Sequence, residues 1–396
     1  MRARSNGTGA NNKSSAWRGS AAKYVVSVIR GRPGLFPGII RAVLSLLALL
    51  YAAGLEFYLF LYRIGVRRAA HLPCAVVCVG NLTTGGTGKT PTTQMLCRLL
   101  MAEGKRVAVI IRGYGGEYEH RCALVSDGER VLLTAKQAGD EAYLLARTLP
   151  GVPIAVGRDR IRTGRLVYEE CRPDIVVMDD GMQHWRLHRD MDIVLLNACE
   201  PFDNGWTFPR GMLREPKHHL RRAGLILLTN ARRAGDENLE RLRREISRLA
   251  PDKPIFAGDL SPIALLDQNG REAQELDWLD GRRVSAMSAL GNPASFESML
   301  GELGAILAAK YRFLDHHEIT RQEFEQVFRK SELARAEAVI TTEKDAVKMP
   351  AVDGMLALLV LRAAMLVSDE AAFVSAILTH LDPPGNDVTC STLKIS

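Results

Sequence analysis

The chain has 396 residues, 47% of them hydrophobic, and a formal net charge of +7. These values exclude general disorder and leave room for two domains. Its seven cysteines show neither disulfide nor zinc spacing. That excludes a disulfide-stapled secreted scaffold and fits free thiols in a reducing compartment.

The basic charge is concentrated at the start. Arg2, Arg4, Lys13, Arg18, Lys23, Arg30, Arg32 and Arg41 precede any Asp or Glu. Residues 1–34 read as a loose basic extension suited to an anionic membrane surface or nucleic acid. Residues 35–68 follow as a membrane-anchoring helix. Ala42 to Leu55 carries no charge, Glu56 interrupts, and Phe57 to Tyr62 continues the apolar run. A spanning helix needs about 20 mainly apolar residues, which the whole stretch supplies. Arg63, Arg67 and Arg68 close it on the far side.

A P-loop domain is expected over 69–240. The apolar run Ala75–Val79 leads into Thr83-Thr84-Gly85-Gly86-Thr87-Gly88-Lys89-Thr90, and a helix-like segment follows to about Ala102. Strand, glycine-rich turn, Gly-Lys-Thr and helix is the setting of a nucleotide phosphate site. Successive backbone N–H groups and the helix N-terminus attract the phosphates. Lys89 would reach the β/γ-phosphates, and Thr90 would ligate Mg²⁺. Thr83 stands where the strict motif has glycine.

Further strand-like runs are Val107–Ile111, Pro153–Val156, Asp174–Met178, Asp192–Leu196, Leu225–Leu228 and Ala338–Ile340. They are short, continuous and rich in Val and Ile, as parallel strands buried on both faces are. Their alternation with amphipathic segments predicts an α/β fold, P-loop NTPase-like, with helices on both faces of a largely parallel sheet. Arg232 to Arg248 reads as a surface helix. A second, smaller α/β domain is expected over 241–382, from the runs Ile255–Ala257, Val284–Leu290 and Tyr311–Leu314. Residues 383–396 read as a polar tail.

Four groups of residues could carry chemistry. Asp179-Asp180 ends a buried strand, where a carboxylate can hold Mg²⁺ opposite Thr90; a turn or helix cap is the plainer alternative. Asp140, in Gly139-Asp140-Glu141, suits either a catalytic role or a helix N-cap. Asp315-His316-His317 offers a base for an alcohol acceptor, or a surface histidine pair. Arg112, Arg158 and Arg214, with Glu215 beside the last, lie among strand-end segments and are read as substrate-binding residues, since arginine grips anions bidentately.

The ordered blocks together resemble the tetraacyldisaccharide 4′-kinase family of lipid A biosynthesis. They are Val79-Gly80-Asn81-Leu82 with the P-loop, Arg112-Gly113-Tyr114-Gly115, Gly139-Asp140-Glu141 and Asp179-Asp180-Gly181-Met182-Gln183-His184. Leu213-Arg214-Glu215-Pro216, Gly291-Asn292-Pro293, Asp315-His316-His317 and Thr342-Glu343-Lys344-Asp345 complete the set. The resemblance implies transfer of the ATP γ-phosphoryl group, with Mg²⁺, to the 4′-hydroxyl of a tetraacyl glucosamine disaccharide 1-phosphate. It implies Asp140 and His316 as a catalytic pair, Asp140 accepting the sugar proton while His316 orients or charges it. It also implies a location on the cytoplasmic face of the inner membrane. A monomer with no nucleic-acid partner is expected. Met182, Arg210, Met212 and Asn230 depart from the family's usual residues. The competing reading is a membrane-tethered regulatory P-loop NTPase.

Overall fold

The computed structural model describes residues 27–29, 31–315, 317–349 and 356–381. The expected tail 383–396, most of the basic extension and His316 lie outside the described residues. The chain divides into two compact units. The smaller takes the described part of Met1–Arg67 with Leu82–Thr84 and Glu200–His219; the larger takes Arg68–Asn81, Gly85–Cys199 and the described part of Leu220–Ser396.

The smaller unit is built on helix α1, Leu35–Arg63. Its 29 residues span about 44 Å at 1.5 Å per residue. It is the one helix among the described residues that is long and apolar enough to cross a membrane. Leu46, Leu50 and Phe57 are each about 60% exposed (59%, 61% and 64%), so the apolar surface is not spent on a protein core. Segment 200–219 leans on this helix. The Thr207 hydroxyl donates to the Ala48 carbonyl at 3.1 Å, and the Tyr51 hydroxyl donates to the Arg214 carbonyl at 2.9 Å.

Among the described residues, the larger unit holds one sheet of thirteen strands. In chain order they are β1 Ala75–Asn81, β2 Val107–Ile111, β3 Ala123–Ser126, β4 Ile154–Val156, β5 Ile175–Asp179, β6 Met191–Asn197 and β7 Leu225–Thr229. Then come β8 Ile255–Leu266, β9 Glu272–Gln274, β10 Arg283–Ser288, β11 Ile306–Arg312, β12 Ala338–Thr342 and β13 Ala357–Val367. The spatial order is β11-β10-β12-β13-β8-β7-β6-β1-β5-β2-β4-β3, with β9 against β8. The pairs β13–β8, β3–β4 and β8–β9 are antiparallel, and the other pairs are parallel. The sheet is therefore continuous across the expected boundary near 240, because β7 and β8 pair directly.

Strands β2, β5 and β7 are buried at every residue, which is why they read as unbroken apolar runs. Helix α2, Lys89–Ala102, seals one face through Leu96 and Leu100, both fully buried against Val77, Val109 and Val177. Each such leucine stabilises the fold by roughly 1.5–3 kcal/mol relative to exposure. A second core lies under β10, β12 and β13, with Phe296, Leu300 and Ile340 at its centre.

One expectation shifts, and one strand was not expected. The run Tyr311–Leu314 overlaps only the end of a longer strand, Ile306–Arg312, whose first residues Ile306-Leu307-Ala308-Ala309 are apolar but at most partly buried at the edge of the sheet. Strand β13 has eleven residues and pairs with β8 over much of its length. A register shift at Arg362/Ala363 interrupts that ladder, the kind of bulge that bends a strand pair.

Candidate active site

Strand β1 lies at the switch point of the sheet, with β5 on one side and β6 on the other. Ligands of open α/β sheets gather at the carboxyl ends of strands flanking such a point. Parallel register sets Val79 beside Asp179, so the phosphate loop and the aspartate pair leave the sheet at the same edge. The turn needs its glycines: Gly85 and Gly88 have φ of 131° and 84°, values that side chains disfavour. Gly88 is the residue before α2 and no side chain caps that helix. Its first N–H groups thus remain available for an anion. The Asn81 amide donates to the Thr87 hydroxyl at 2.9 Å and braces the turn from inside. Thr83 and Thr84 belong to the smaller unit, where the Thr84 N–H donates to the Met212 carbonyl at 2.8 Å and the Arg214 N–H to the Leu82 carbonyl at 2.7 Å.

Lys89 Nζ lies 3.9 Å from Asp180 Oδ2, and the Thr90 hydroxyl lies 3.5 Å from Asp179 Oδ2. Burial pushes the Asp179 carboxyl up to about 7, the carboxylates of Glu141 and Asp180 add to the rise, and Lys89 and Arg160 oppose it. A hydroxyl and two carboxylates form a hard, all-oxygen donor set, which fits Mg²⁺. Asp180 has φ of 47°, a left-handed turn that carries the chain off the strand into Gly181. The buried Arg160 donates to the Gly157 carbonyl at 2.7 Å and to the Asp179 carbonyl at 3.4 Å. It ties the ends of β4 and β5 together.

Asp140 opens helix α3, Asp140–Thr148. It is not an N-cap: Gly139 holds that position without a side-chain cap bond. The Asp140 carboxylate instead pairs with Lys348. Beside it, Lys344 bridges Glu141 at 3.1 Å and Asp315 at 3.4 Å. Burial works against the Lys344 charge, yet Glu141 and Asp315 outweigh it and raise its pKa. Asp345 is buried and accepts from the Thr342 hydroxyl at 2.7 Å and the Ala289 N–H at 3.1 Å. The loops after β10, β11 and β12 therefore converge on the N-terminus of α3.

Close approach fixes how that terminus is presented. A Cβ on Gly116 would lie 2.6 Å from the Gly139 nitrogen, and one on Gly113 would lie 2.6 Å from the Ala138 carbonyl oxygen. The Arg112-Gly113-Tyr114-Gly115 block thus packs backbone to backbone against the turn that presents Asp140.

The other expected residues are placed as follows. Arg112 donates to Glu119 at 2.7 Å and lies over the Tyr114 ring. Arg158 is exposed just beyond β4. The Glu215 side chain is fully buried in the smaller unit, 2.7 Å from His219 Nδ1, so it is not presented to a ligand. His317 pairs with Glu323 at 3.0 Å and stacks on Phe313. Glu323 in turn closes the capping box of the helix Arg321–Leu333, which gives His317 a structural role. The described cysteines are free, and burial pushes the Cys74 thiol up to about 11, with Asp190 and Asp174 adding to it. Sequence reasoning counted Arg160 among the strand-end arginines that could bind an anion, and it assigned no individual role to Glu141, Lys344 or Lys348. Lys344 lay in a recognised block, and Lys348 follows it at i+4, the one signal available for it.

A strand, a glycine turn, a Lys-Thr pair at a helix N-terminus and two strand-end aspartates define a P-loop phosphotransferase. The family model for tetraacyldisaccharide-1-P 4′-kinase matches residues 40–382. The chain is 44% identical over 322 residues to a tetraacyldisaccharide 4′-kinase of Anaeromyxobacter sp. (strain K), covering 81% of this chain and 85% of that one. It is 39% identical over 316 residues to that of Syntrophus aciditrophicus (strain SB), covering 76% and 84%. The solved structure of LpxK from Aquifex aeolicus in complex with ATP matches with a TM-score of 0.69 at 30% identity, over 86% of this chain and 99% of that one. The chain belongs to the tetraacyldisaccharide 4′-kinase family, and it is a kinase.

Proposed function

We propose that the protein transfers the γ-phosphoryl group of ATP to the 4′-hydroxyl of a tetraacyl glucosamine disaccharide 1-phosphate, working as a monomer at the cytoplasmic face of the inner membrane with α1 as its anchor. The observation that carries this reading is a carboxylate held at the N-terminus of α3 and lysine-paired, in the same unit as the Gly85–Thr90 part of the phosphate loop, in a member of this family. A lipid acceptor also accounts for an exposed apolar helix on a phosphotransferase.

In this mechanism the Gly85–Thr90 backbone and Lys89 bind the β/γ-phosphates and stabilise the charge spread over the transferring group. Thr90, Asp179 and Asp180 would hold Mg²⁺, which when bound would neutralise phosphate charge. Asp140 accepts the proton of the 4′-hydroxyl as its oxygen bonds to the γ-phosphorus and the bond to the β-phosphate oxygen breaks. His316 supports Asp140, and Lys348 and Lys344 hold the acidic cluster in place. Arg112, Arg158 and Arg214 bind anionic parts of the substrates. Glu215 acts through position, since its carboxylate is committed to His219. Residues 69–240 supply the nucleotide half of the site and 241–382 the lysines that face it.

The test is a transfer assay with detergent-purified protein, MgATP and the disaccharide 1-phosphate lipid, read by mass spectrometry. Gain of one phosphoryl group, lost in Asp140→Asn, is the expected result. ATP consumption with no lipid product would overturn this reading in favour of a nucleotide-driven switch.

A further inference from the structure

Helix α1 carries a single acidic residue, Glu56, and the transfer mechanism does not use it. An ionisable group in an apolar helix is costly and points to a site. Glu56 Oε1 lies 2.6 Å from His219 Nε2 and 2.8 Å from His218 Nε2. The two histidine rings are nearly perpendicular, 89° apart, with centroids 4.7 Å apart. Both therefore aim a ring nitrogen at the same carboxylate oxygen. The other oxygen, Oε2, faces Arg63 at 4.0 Å. His219 is 3% exposed, and its remaining nitrogen, Nδ1, is 2.7 Å from the fully buried Glu215.

We propose that Glu56, His218 and His219 form a transition-metal site, of the class that takes Zn²⁺, with Glu215 orienting His219 from behind. The chemistry of the donors is the argument. Two imidazole nitrogens and one carboxylate oxygen make the three-protein-ligand set of zinc sites that keep a fourth position open. The three donor atoms lie within 4.8 Å of one another, and ligands around a tetrahedral ion at about 2.0 Å are about 3.3 Å apart. The two short carboxylate contacts would open, and the two histidine nitrogens, no more than 4.8 Å apart, would adjust around the ion. A carboxylate on the non-ligating nitrogen fixes the tautomer that leaves Nε2 as the donor, the usual support for a metal-bound histidine. His218 is largely exposed and gives the ion an entry. Nitrogen donors separate this site from the all-oxygen set at Thr90 and Asp179, which suits Mg²⁺. The bound ion fastens α1 to the segment that carries Arg214, whose carbonyl already accepts from Tyr51 on the same helix.

The experiment uses the full chain in detergent, stripped with chelator and titrated with Zn²⁺ against a chromophoric competitor in excess Mg²⁺. About one equivalent is expected to bind, with a rise in the unfolding temperature. His218→Asn should weaken binding by roughly 10-fold or more, and Glu56→Gln with His218→Asn should abolish it. Cys199→Ser, which removes an exposed thiol, should leave it unchanged. Failure to bind a stoichiometric ion, or equal affinity in His218→Asn, would overturn the site and leave a proton-held Glu–His–Glu cluster. Because His218 is exposed, its variant decides the matter even if the double variant does not fold. The readout is metal and not phosphoryl transfer, so the result stands apart from the kinase assay.

Discussion

The two sides of the site in the larger unit are built by opposite means. The phosphate side is one contiguous stretch: β1, a glycine turn and α2 follow each other in 28 residues, Ala75 to Ala102. The lysine side is assembled from afar. Lys344 and Lys348 meet Glu141 and Asp140 across some 200 residues of chain, by way of the long β8–β13 pair. Local geometry thus suffices to present phosphate donors, whereas the acidic cluster depends on a tertiary arrangement to supply its counter-charges.

The comparison can be broken from either side. Lys89→Ala strikes the contiguous side. Turnover should fall by roughly 10²-fold or more, with little change in unfolding temperature, as read by the transfer assay and a melting curve. On the assembled side, Asp140→Asn should reduce turnover by about 10²-fold while nucleotide affinity, measured by calorimetry, is kept. A loss of ATP affinity with turnover intact would remove Asp140 from its assigned role.

Gly116→Ala tests the packing that presents Asp140. The added Cβ would meet the Gly139 nitrogen at 2.6 Å, and neither side of that contact is a side chain that can swing away. A destabilisation of about 1–3 kcal/mol is expected, measured by denaturant unfolding, with lower turnover. Lys348→Met removes a counter-ion without touching the phosphate loop. A loss of roughly tenfold in turnover is expected, as for a group that positions another; unchanged turnover would show that the pair with Asp140 is incidental.

The smallest effect lies away from the site, at Asp174. Its side chain accepts from Arg106 at 2.6 Å, and these bonds, with the Arg106 N–H, hold the carboxyl down from 3.8 to about 2. A depressed acid contributes stability above its unfolded pKa and loses it as pH falls through about 2. The pair is exposed, so Asp174→Asn should cost less than about 1 kcal/mol at neutral pH and should flatten the acid limb of a stability profile.

By itself the sequence determined the elements whose signals are local. Val and Ile runs marked β1, β2, β5, β6 and β7 because strands buried on both faces leave no room for polar residues. The glycine turn before Lys89-Thr90 was legible because only glycine tolerates the φ of Gly85 and Gly88. Asp179 and Asp180 were legible because they end a buried run. The anchor candidate was legible because length and apolarity alone define it. Tertiary structure decided the rest. It made Asp140 the first residue of a helix rather than its cap, gave it Lys348 as partner, and turned His317 toward a capping box. It brought Arg160 under the aspartates and closed Glu215 and His219 around Glu56 of α1. The physical reason is common to all of these. A side chain's partner across tens or hundreds of residues is set by strand order and register, and in one chain no spacing records that.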